Sequence, residues 1–346
     1  MVAEVAGGRA PGLADVATRA GVSYQTVSRV INGHPSVAPL TRERVQRAIA
    51  ELGYRPNRAA RALVTGSSRT LGLVTVNIAQ YGPAQTMIGL EKAARAAGYA
   101  LSVTILDEAT AEAMRTAVDD LVAHGVDAVV ALSTYDDAAD ALSRLAPPVP
   151  LVAVQVGGAD DRPAVAIDQE AGARMAVRHL LDLGHRTVHH LPGPADSQEA
   201  RGRTDGWLAE LGDAGAPVPD ALPRGDWTPA SGYAAGEALV ARRRAGEEIT
   251  AVFSANDQMS LGLLAALHEA GLSVPGDVSL IGFDDLPEAP YFVPPLTTIR
   301  QDFAELGRRG VDLLLGRLRG EDPHPEPVPP TLVVRASAGP PVGMAG

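Results

Sequence analysis

The sequence predicts two kinds of domain in one chain, a small all-α domain at the N terminus and a larger α/β domain after it. Three observations support this. Apolar residues recur at helical spacing up to Tyr54, a polar Gly/Ser joint occupies residues 65–69, and short apolar runs then alternate with helical stretches. At 346 residues and 46% apolar, the chain is long enough to bury a core in each domain.

The sequence pattern of the first domain predicts three short helices. Gly21 ends the first helix, Ser23 can cap the second, and Thr41 can cap a third that Gly53 ends. Pro56 then stops the chain before a segment of about two turns that should not be stable alone in water. The inward-facing residues of the three helices are Leu13, Val16, Ala17, Ala20, Val27, Val30, Ile31, Val45, Ala48, Ile49 and Leu52.

The larger domain has the alternation of a parallel α/β protein. More than 270 residues exceed one ordinary sheet, so we expect two lobes, with the loop Gln155–Arg162 as a candidate crossing and a ligand in the cleft between them. A Pro-rich stretch precedes the last strand, and the tail to Gly346 looks frayed. The predicted strands are Leu71–Val76, Tyr99–Ile105, Val126–Leu132, Leu151–Val154, Thr187–Leu191, Ala251–Ser254, Val278–Phe283 and Thr331–Val334.

Composition excludes several classes of function. Cysteine is absent, which removes disulfides, thiolate metal sites and thiol nucleophiles, and Lys92 is the single lysine, which argues against phosphate loops and Schiff-base chemistry. We expect neither a cofactor nor a metal, because the adjacent strand residues His189 and His190 point to opposite faces and, with His185, favour structural roles.

The chain has no apolar run of membrane length and its start does not resemble a secretory signal, so we expect a cytoplasmic protein without membrane contact.

The charge distribution points to a polyanion bound by the first domain. The net charge is −11, yet residues 1–65 hold nine arginines against four acidic residues, a local charge of +5. The second helix presents Tyr24, Gln25, Ser28 and Arg29 opposite its apolar face, and Gln and Arg are the side chains that bond adenine and guanine bidentately in the major groove. This pattern favours a helix-turn-helix, with Ser23 and Thr26 on phosphates; the alternative is a three-helix bundle with a polar surface.

The segment after the first domain carries Arg58, Arg61 and Leu63 on a helix too short to be stable alone. Such a segment can fold on DNA and place an apolar wedge in the minor groove. Leu63 is either that wedge or an ordinary linker leucine.

In the α/β domain, a few polar side chains and one aromatic ring suggest a sugar site. Trp227 follows a glycine and an acid in a polar stretch, and a flat indole can cover the apolar face of a sugar while Arg and carboxylate groups bond its hydroxyls. The polar candidates are Arg201 and Arg203, Asn256 and Asp257, and Asp284 and Asp285. Helix capping is the competing explanation for each Asx residue that follows a strand.

Residues 13–32 and the motif Tyr54-Arg55-Pro56-Asn57 resemble the headpiece of the LacI/GalR family of transcription repressors, and the similarity spans nearly the whole chain. It implies a homodimer on near-palindromic double-stranded operator DNA. By resemblance we expect a headpiece at 1–56, a hinge helix and linker at 57–69, and a two-lobed ligand-binding and dimerisation domain, similar to periplasmic binding proteins, at 70–346. The implied DNA contacts are Leu13, Ser23, Tyr24, Gln25, Thr26, Ser28, Arg29, Asn32, Asn57, Arg58, Arg61 and Leu63.

The same resemblance implies an effector site, with Trp207 structural. The implied ligand contacts are Val76, Gln155, Glu199, Arg201, Arg203, Trp227, Asn256, Asp284, Gln301 and Phe303. A galactoside-binding member of the family has polar sugar contacts at four positions that differ here, which are Val76, Leu132, Gln155 and Glu199. The resemblance therefore implies a sugar or glycoside as the ligand, but not a galactoside in particular. The C-terminal residues 336–346 lack leucine heptads, so a dimer is expected.

The resemblance implies a repressor of carbohydrate-utilisation genes that a sugar inducer releases from its operator, and a corepressor-dependent regulator is the alternative within the family. A sugar-binding transport protein shares the two-lobed body, but the helix-turn-helix pattern argues against it. An α/β enzyme is disfavoured because no Gly-x-Gly-x-x-Gly follows a strand and no Gly-x-Ser-x-Gly occurs.

Overall fold

The computed structural model describes residues 11–31, 34–54, 66–76, 78–107, 110–132, 142, 145–154 and 164–341. The chain divides into two compact units, Met1–Ser68 and Arg69–Gly346. Within the described ranges, no helix combines the length and the apolar character that a membrane span requires.

Within residues 11–31 and 34–54, the first unit has three helices around a small apolar core. Ser23 precedes the second helix and accepts a hydrogen bond at Oγ from the backbone N–H of Thr26, 3.2 Å away, as expected for an N-cap. The expected cap at Thr41 is wrong, because the third helix begins two residues earlier at Pro39, whose fixed φ suits a first helical turn. The helices are α1 (Leu13–Ala20), α2 (Tyr24–Ile31) and α3 (Pro39–Leu52).

The second unit has two lobes, each built on a five-stranded sheet. The first sheet is entirely parallel in the order β2-β1-β3-β4-β5. Its strands are β1 (Thr70–Val76), β2 (Ala100–Leu106), β3 (Ala128–Leu132), β4 (Leu151–Val154) and β5 (Ala164–Val165), with helices α4 (Tyr81–Ala96) and α5 (Ala111–Ala123).

The second sheet has the order β10-β9-β8-β7-β6, and β10 alone runs antiparallel to its neighbour. Its strands are β6 (His189–Leu191), β7 (Ala251–Ser254), β8 (Ser279–Asp284), β9 (Thr297–Arg300) and β10 (Thr331–Val333). The helices of this lobe are α6 (Gln169–Asp182), α7 (Gln198–Asp213), α8 (Pro229–Arg244) and α9 (Asp257–Glu269).

The chain passes between the lobes more than once. The expected crossing at Gln155–Arg162 is wrong, because β5, which follows that loop, still pairs with β4 through Ala153 and Ala164. The first crossing lies later, between β5 and α6. It returns after β9, because the next helix, α10 (Phe303–Leu318), packs on the first lobe. The last strand, β10, then takes it back to the second sheet.

Close approach of α4 and α10 holds the returning helix on the first lobe. A Cβ on Gly89 would lie 2.4 Å from the carbonyl oxygen of Phe303, and one on Gly307 would lie 2.3 Å from the carbonyl carbon of Gly89. Side chains at these positions would separate the two backbones, so glycine is needed for the contact.

The C-terminal segment is anchored as far as Gly339, contrary to the expected fraying. Ser337 Oγ donates to the carbonyl of Leu280 at 2.6 Å and accepts from the N–H of Thr297 at 2.8 Å. Ser279 Oγ donates to the carbonyl of Gly339 at 2.8 Å. These buried bonds attach the segment to β8 and β9, which a composition rich in Gly and Pro does not reveal.

Candidate functional site

The outer face of α2 is the candidate DNA surface of the first unit. Val27 and Val30 are buried against the other helices, which leaves Tyr24, Gln25 and Arg29 exposed, the tyrosine by 57%. In residues 11–31 and 34–54, Gln25 and Arg29 have no hydrogen-bonded side-chain partner, so their donors and acceptors face solvent. Ser23 and Thr26, the expected phosphate contacts, hydrogen-bond each other at 2.9 Å.

The arginines of the first unit divide into structural and exposed groups. Arg44 of α3 donates to the carbonyl of Ala20 at 2.6 Å and so fixes the turn between α1 and α2. Arg42 donates to the carbonyl of His34 at 2.8 Å, and Arg19 pairs with Glu51 at 2.7 Å. Part of the +5 charge therefore stabilises the fold.

Several predicted contacts lie elsewhere or outside the described residues. Leu13 packs half-buried against the headpiece core, and Ser28 is partly buried on α2. The positions outside the described residues are Asn32, Asn57, Arg58, Arg61, Leu63 and Gln155.

The second unit contains a cavity between the lobes that opens to solvent, and the space that its lining residues bound is about 310 Å³ when the adjoining open solvent is included. The first lobe contributes the residues that follow the carboxyl end of β1. The second lobe contributes polar side chains from α7, the start of α9, the end of β8 and the loop after β9. The lining residues are Gln80, Tyr81, Gly82, Pro83, Glu199, Arg203, Trp227, Asn256, Gln258, Asp284 and Gln301.

Arg203 is at the centre of the polar wall, with only 2% of its surface exposed. Its Nε donates to Gln169 Oε1 at 2.9 Å and its Nη1 donates to the carbonyl of Ala255. The guanidinium carbon lies 3.9 Å from the ring centroid of Phe283, a cation–π contact. The guanidinium group is therefore held in position without a ligand, as a pre-organised binding site requires.

A second set of hydrogen bonds orients Asp284. Its Oδ1 accepts from Gln301 Nε2 at 2.6 Å, and Gln301 Oε1 accepts from Gln169 Nε2 at 3.0 Å. The pKa of Asp284 is raised to about 7, because burial raises it more than the charge of Arg203 lowers it; Glu199 adds to the rise and the Gln301 bond opposes it. Asp284 can therefore accept or donate a hydrogen bond near neutral pH.

Trp227 and Asn256 form one edge of the cavity. Asn256 caps α9 by accepting from the N–H of Met259 at 2.8 Å, and its Nδ2 donates to the carbonyl of Trp227 at 3.1 Å. The indole belongs to the apolar core and packs so closely on Gly193 that a Cβ there would lie 2.4 Å from the ring. Asn256 thus both caps α9 and lines the cavity. Trp227 lines the cavity with part of a ring that is otherwise packed in the apolar core.

The backbone is strained at this wall. Trp227 has φ of 73° and Asp284 has φ of 117°, in a region that non-glycine residues rarely occupy. Such conformations cost about 1–3 kcal/mol each and cluster at functional sites.

Three expected ligand contacts do not line the cavity. Val76 is buried among apolar side chains at the end of β1, and Phe303 packs in the first-lobe core with its ring 5.8 Å from that of Tyr81. Arg201 donates to the carbonyl of Ala195 at 3.2 Å, because two residues along α7 turn it away from the face that carries Arg203. Val76, Phe303 and Arg201 therefore do not belong to the cavity wall.

Several residues that the sequence did not indicate take part in the site, among them Tyr81 and Gln169. Tyr81 reaches the cavity from the first lobe, where burial, and then Asp284, raise the pKa of its hydroxyl. Gln169 bridges Arg203 and Gln301 from the start of α6. The position of Tyr81 after a parallel strand could have suggested it, but nothing in the local sequence distinguishes Gln169.

The histidines and Trp207 have structural roles in the second lobe. His190 stacks on Phe253 with centroids 4.9 Å apart, and burial lowers its pKa to about 4. His189 hydrogen-bonds Glu247, and Trp207 Nε1 donates to the carbonyl of Val188 at 2.7 Å. In the described part of the chain no group of His, Asp and Glu side chains has the arrangement of a metal site.

Two family models match this chain. Residues 12–57 match bacterial regulatory proteins of the lacI family, and residues 177–338 match a periplasmic binding protein-like domain. The first match covers the helix-turn-helix and the second covers most of the second lobe.

Curated relatives share most of the chain. The lactose operon repressor of Escherichia coli K12 is 37% identical over 310 residues, covering 89% of this chain and 85% of that protein. The HTH-type transcriptional repressor PurR of Escherichia coli O1:K1 is 36% identical over 331 residues, covering 93% and 95%.

Solved structures of related proteins have the same fold. A lac repressor dimer bound to operator and the anti-inducer ONPF has a TM-score of 0.85 and 36% identity, covering 96% of this chain and 100% of that one. The transcriptional regulator CelR in complex with cellobiose has a TM-score of 0.69 and 33% identity, covering 94% and 99%.

Proposed function

The chain belongs to the lacI family of bacterial regulatory proteins, and we propose that it is a transcriptional repressor that a sugar or glycoside releases from its operator. The observation that carries the effector class is the wall of fixed polar groups beside an indole, Arg203, Asp284, Gln301 and Asn256 with Trp227. Such a set suits a polyol, whose hydroxyls both donate and accept hydrogen bonds. A solved relative holds cellobiose and another is named as bound to ONPG.

At the DNA we propose a homodimer on a near-palindromic site, as in the operator-bound relative. Tyr24, Gln25 and Arg29 would read bases in the major groove because they are exposed on one face of α2. Ser23 and Thr26 would position the DNA backbone, and Leu13, Ser28 and Asn32 would make further DNA contacts. Residues 57–69, with Asn57, Arg58, Arg61 and Leu63, would act as the hinge into the minor groove.

The proposed mechanism is a coupling between the cavity and the DNA surface. A sugar that contacts both lobes favours one arrangement of them, and this arrangement disfavours the operator-bound dimer. A coupling of 1–3 kcal/mol corresponds to about 5- to 150-fold in operator affinity.

The test is operator binding by the full chain with and without sugars. A duplex selected from a random pool by the purified protein is titrated by fluorescence anisotropy in the presence of a panel of mono- and disaccharides that includes cellobiose. We expect at least one sugar to weaken operator binding by about 10-fold or more.

A matched pair of variants ties that effect to the cavity. Arg203→Lys keeps the charge but loses the guanidinium fork, so it should abolish the sugar response, whereas Arg201→Lys on the same helix should retain it. Equal responses in the two variants would contradict the assignment of the cavity as the effector site.

A corepressor-dependent regulator is the second candidate, because the PurR relative is nearly as similar as the lactose operon repressor. The same titration separates the two, since a corepressor tightens operator binding.

The relatives are repressors rather than enzymes, and we infer that this chain binds its ligand without turnover. Chromatography of each sugar after prolonged incubation with the protein would reveal any product.

A further inference from the structure

The cavity wall contains two carboxylates and one guanidinium. Arg203 Nη2 lies 4.0 Å from Glu199 Oε2 and 3.8 Å from Asp284 Oδ1, beyond ordinary hydrogen-bond distance from either. Its Nε and Nη1 hydrogen bonds go to Gln169 and Ala255 instead. One positive charge therefore faces two acidic groups without a close bond to either.

Glu199 differs from the other buried acids of this lobe in having no donor among the described residues. Asp284 accepts from Gln301 at 2.6 Å, and Asp257 accepts from Thr298 at 2.6 Å and from the N–H of Leu286 at 2.8 Å. The Glu199 side chain is only 12% exposed and it lines the cavity. A carboxylate in this position has to obtain its donors from water or from a ligand.

The described lining residues offer one cation to two carboxyl groups. The other ionisable side chains among the described lining residues are Arg203 on the same helix as Glu199, Asp284 at the end of β8 and Tyr81 on α4. Burial raises the pKa of Glu199, while Arg203 lowers it. Asp285, just outside the wall, is already paired with Arg300 and Arg335 at 2.6 Å each.

We propose that the cavity carries an uncompensated negative charge centred on Glu199, which makes it accept neutral or cationic ligands and reject anionic ones. Hydroxyl or ammonium donors of the ligand would bond Glu199, whereas a sugar phosphate or a uronic acid would face a buried like charge. The class of ligand rests on the proposed sugar function, but the charge is a property of the ligand-free protein.

The first arm of the test compares ligands that differ in charge. Glucose, glucosamine and glucuronic acid, and the corresponding galactose series, are titrated by calorimetry into the full chain and into Glu199→Gln, which keeps the size of the side chain and removes its charge. We expect the uronic acid to bind at least about 10-fold more weakly than the neutral sugar, and Glu199→Gln to reduce that ratio below about 3-fold. The exposed control Glu248→Gln should keep the wild-type ratio.

The second arm needs no ligand. Because burial raises the pKa of Glu199, the folded protein retains a proton there that the unfolded chain loses above the ordinary glutamate value of 4.5, so this carboxyl destabilises the folded state as pH rises from that value. The margin by which Glu199→Gln melts above wild type should therefore be larger at pH 8 than at pH 4, and Glu248→Gln should follow wild type.

The outcomes separate this proposal from the proposed function. If no sugar binds while Glu199→Gln still changes the pH dependence, the sugar effector is refuted and the buried charge is supported. If a uronic acid binds as tightly as its neutral sugar, the charge selectivity is overturned and the sugar effector survives. If the melting temperatures of Glu199→Gln and wild type keep a constant separation from pH 4 to 8, the uncompensated charge is overturned whatever binds.

Discussion

Replacing Asp284 with Asn should make the second lobe more stable at neutral pH. The folded pKa of this carboxyl is about 7 against an ordinary value of 3.8, so the folded state binds more protons than the unfolded state between those values. Stability therefore falls as pH rises from about 4 to about 7 and levels off above. Asn keeps the acceptor for Gln301, tolerates the positive φ and has no proton to lose.

The magnitude follows from the pKa difference. A difference of ~3 units at ~1.36 kcal/mol each sets an upper bound of ~4 kcal/mol for this buried group. The cavity opens to solvent, and water reaching the carboxylate reduces the penalty. We expect Asp284→Asn to gain about 2 kcal/mol over wild type between pH 5 and pH 8, with little difference near pH 4.

Urea unfolding at pH 5, 6, 7 and 8 measures this gain. The two tryptophans of the chain, Trp207 and Trp227, are both buried in the second lobe, so their fluorescence reports on the lobe that contains Asp284. Asp205→Asn, at an exposed position of α7, is the control and should follow wild type. Parallel pH profiles for wild type and Asp284→Asn would refute a raised pKa at Asp284.

Three further substitutions test other parts of the molecule. Gln25→Ala should change base preference by about 1–3 kcal/mol at one half-site position in competition against single-base-pair operator variants, and an equal loss on every duplex would remove it from base reading. Trp207→Phe should lower the free energy of unfolding by about 1–3 kcal/mol because a buried carbonyl loses its donor at 2.7 Å. Gly89→Ala would place a Cβ 2.4 Å from the carbonyl oxygen of Phe303 and should lower the melting temperature, whereas Gly212→Ala, with nothing within 4 Å, should leave it unchanged or raise it.

The sequence predicted strands well where both faces are buried. Leu151–Val154 and Ala251–Ser254 are continuous apolar runs, and the structure has strands with those bounds. Thr297–Arg300 was missed because it reads as polar, yet Thr297 and Thr298 are fully buried. Their hydroxyls are satisfied by Arg335 and Asp257, which are distant in sequence, and such pairings leave no local pattern.

Within the site, helical geometry decides between candidates that composition alone cannot rank. Arg201 and Arg203 are two residues apart, about 200° around a helix, so both cannot face one cavity. Glu199 and Arg203 are four apart and share a face, and the structure places both in the wall. The angular relation was available from the sequence, whereas the choice of face required the position of α7 against the second sheet.

The polar network of the cavity lies at the segments that join the two lobes. Gln169 is the first residue of α6, just after the first crossing, and Gln301 stands between β9 and α10 at the return. Their side chains hydrogen-bond each other at 3.0 Å, and Gln301 also holds Asp284. A ligand hydroxyl that competes for Asp284 would therefore alter bonds made by the connecting segments themselves. Because Phe303, two residues after Gln301, contacts Tyr81 of the first lobe, the same ligand is positioned to change the relation between the lobes.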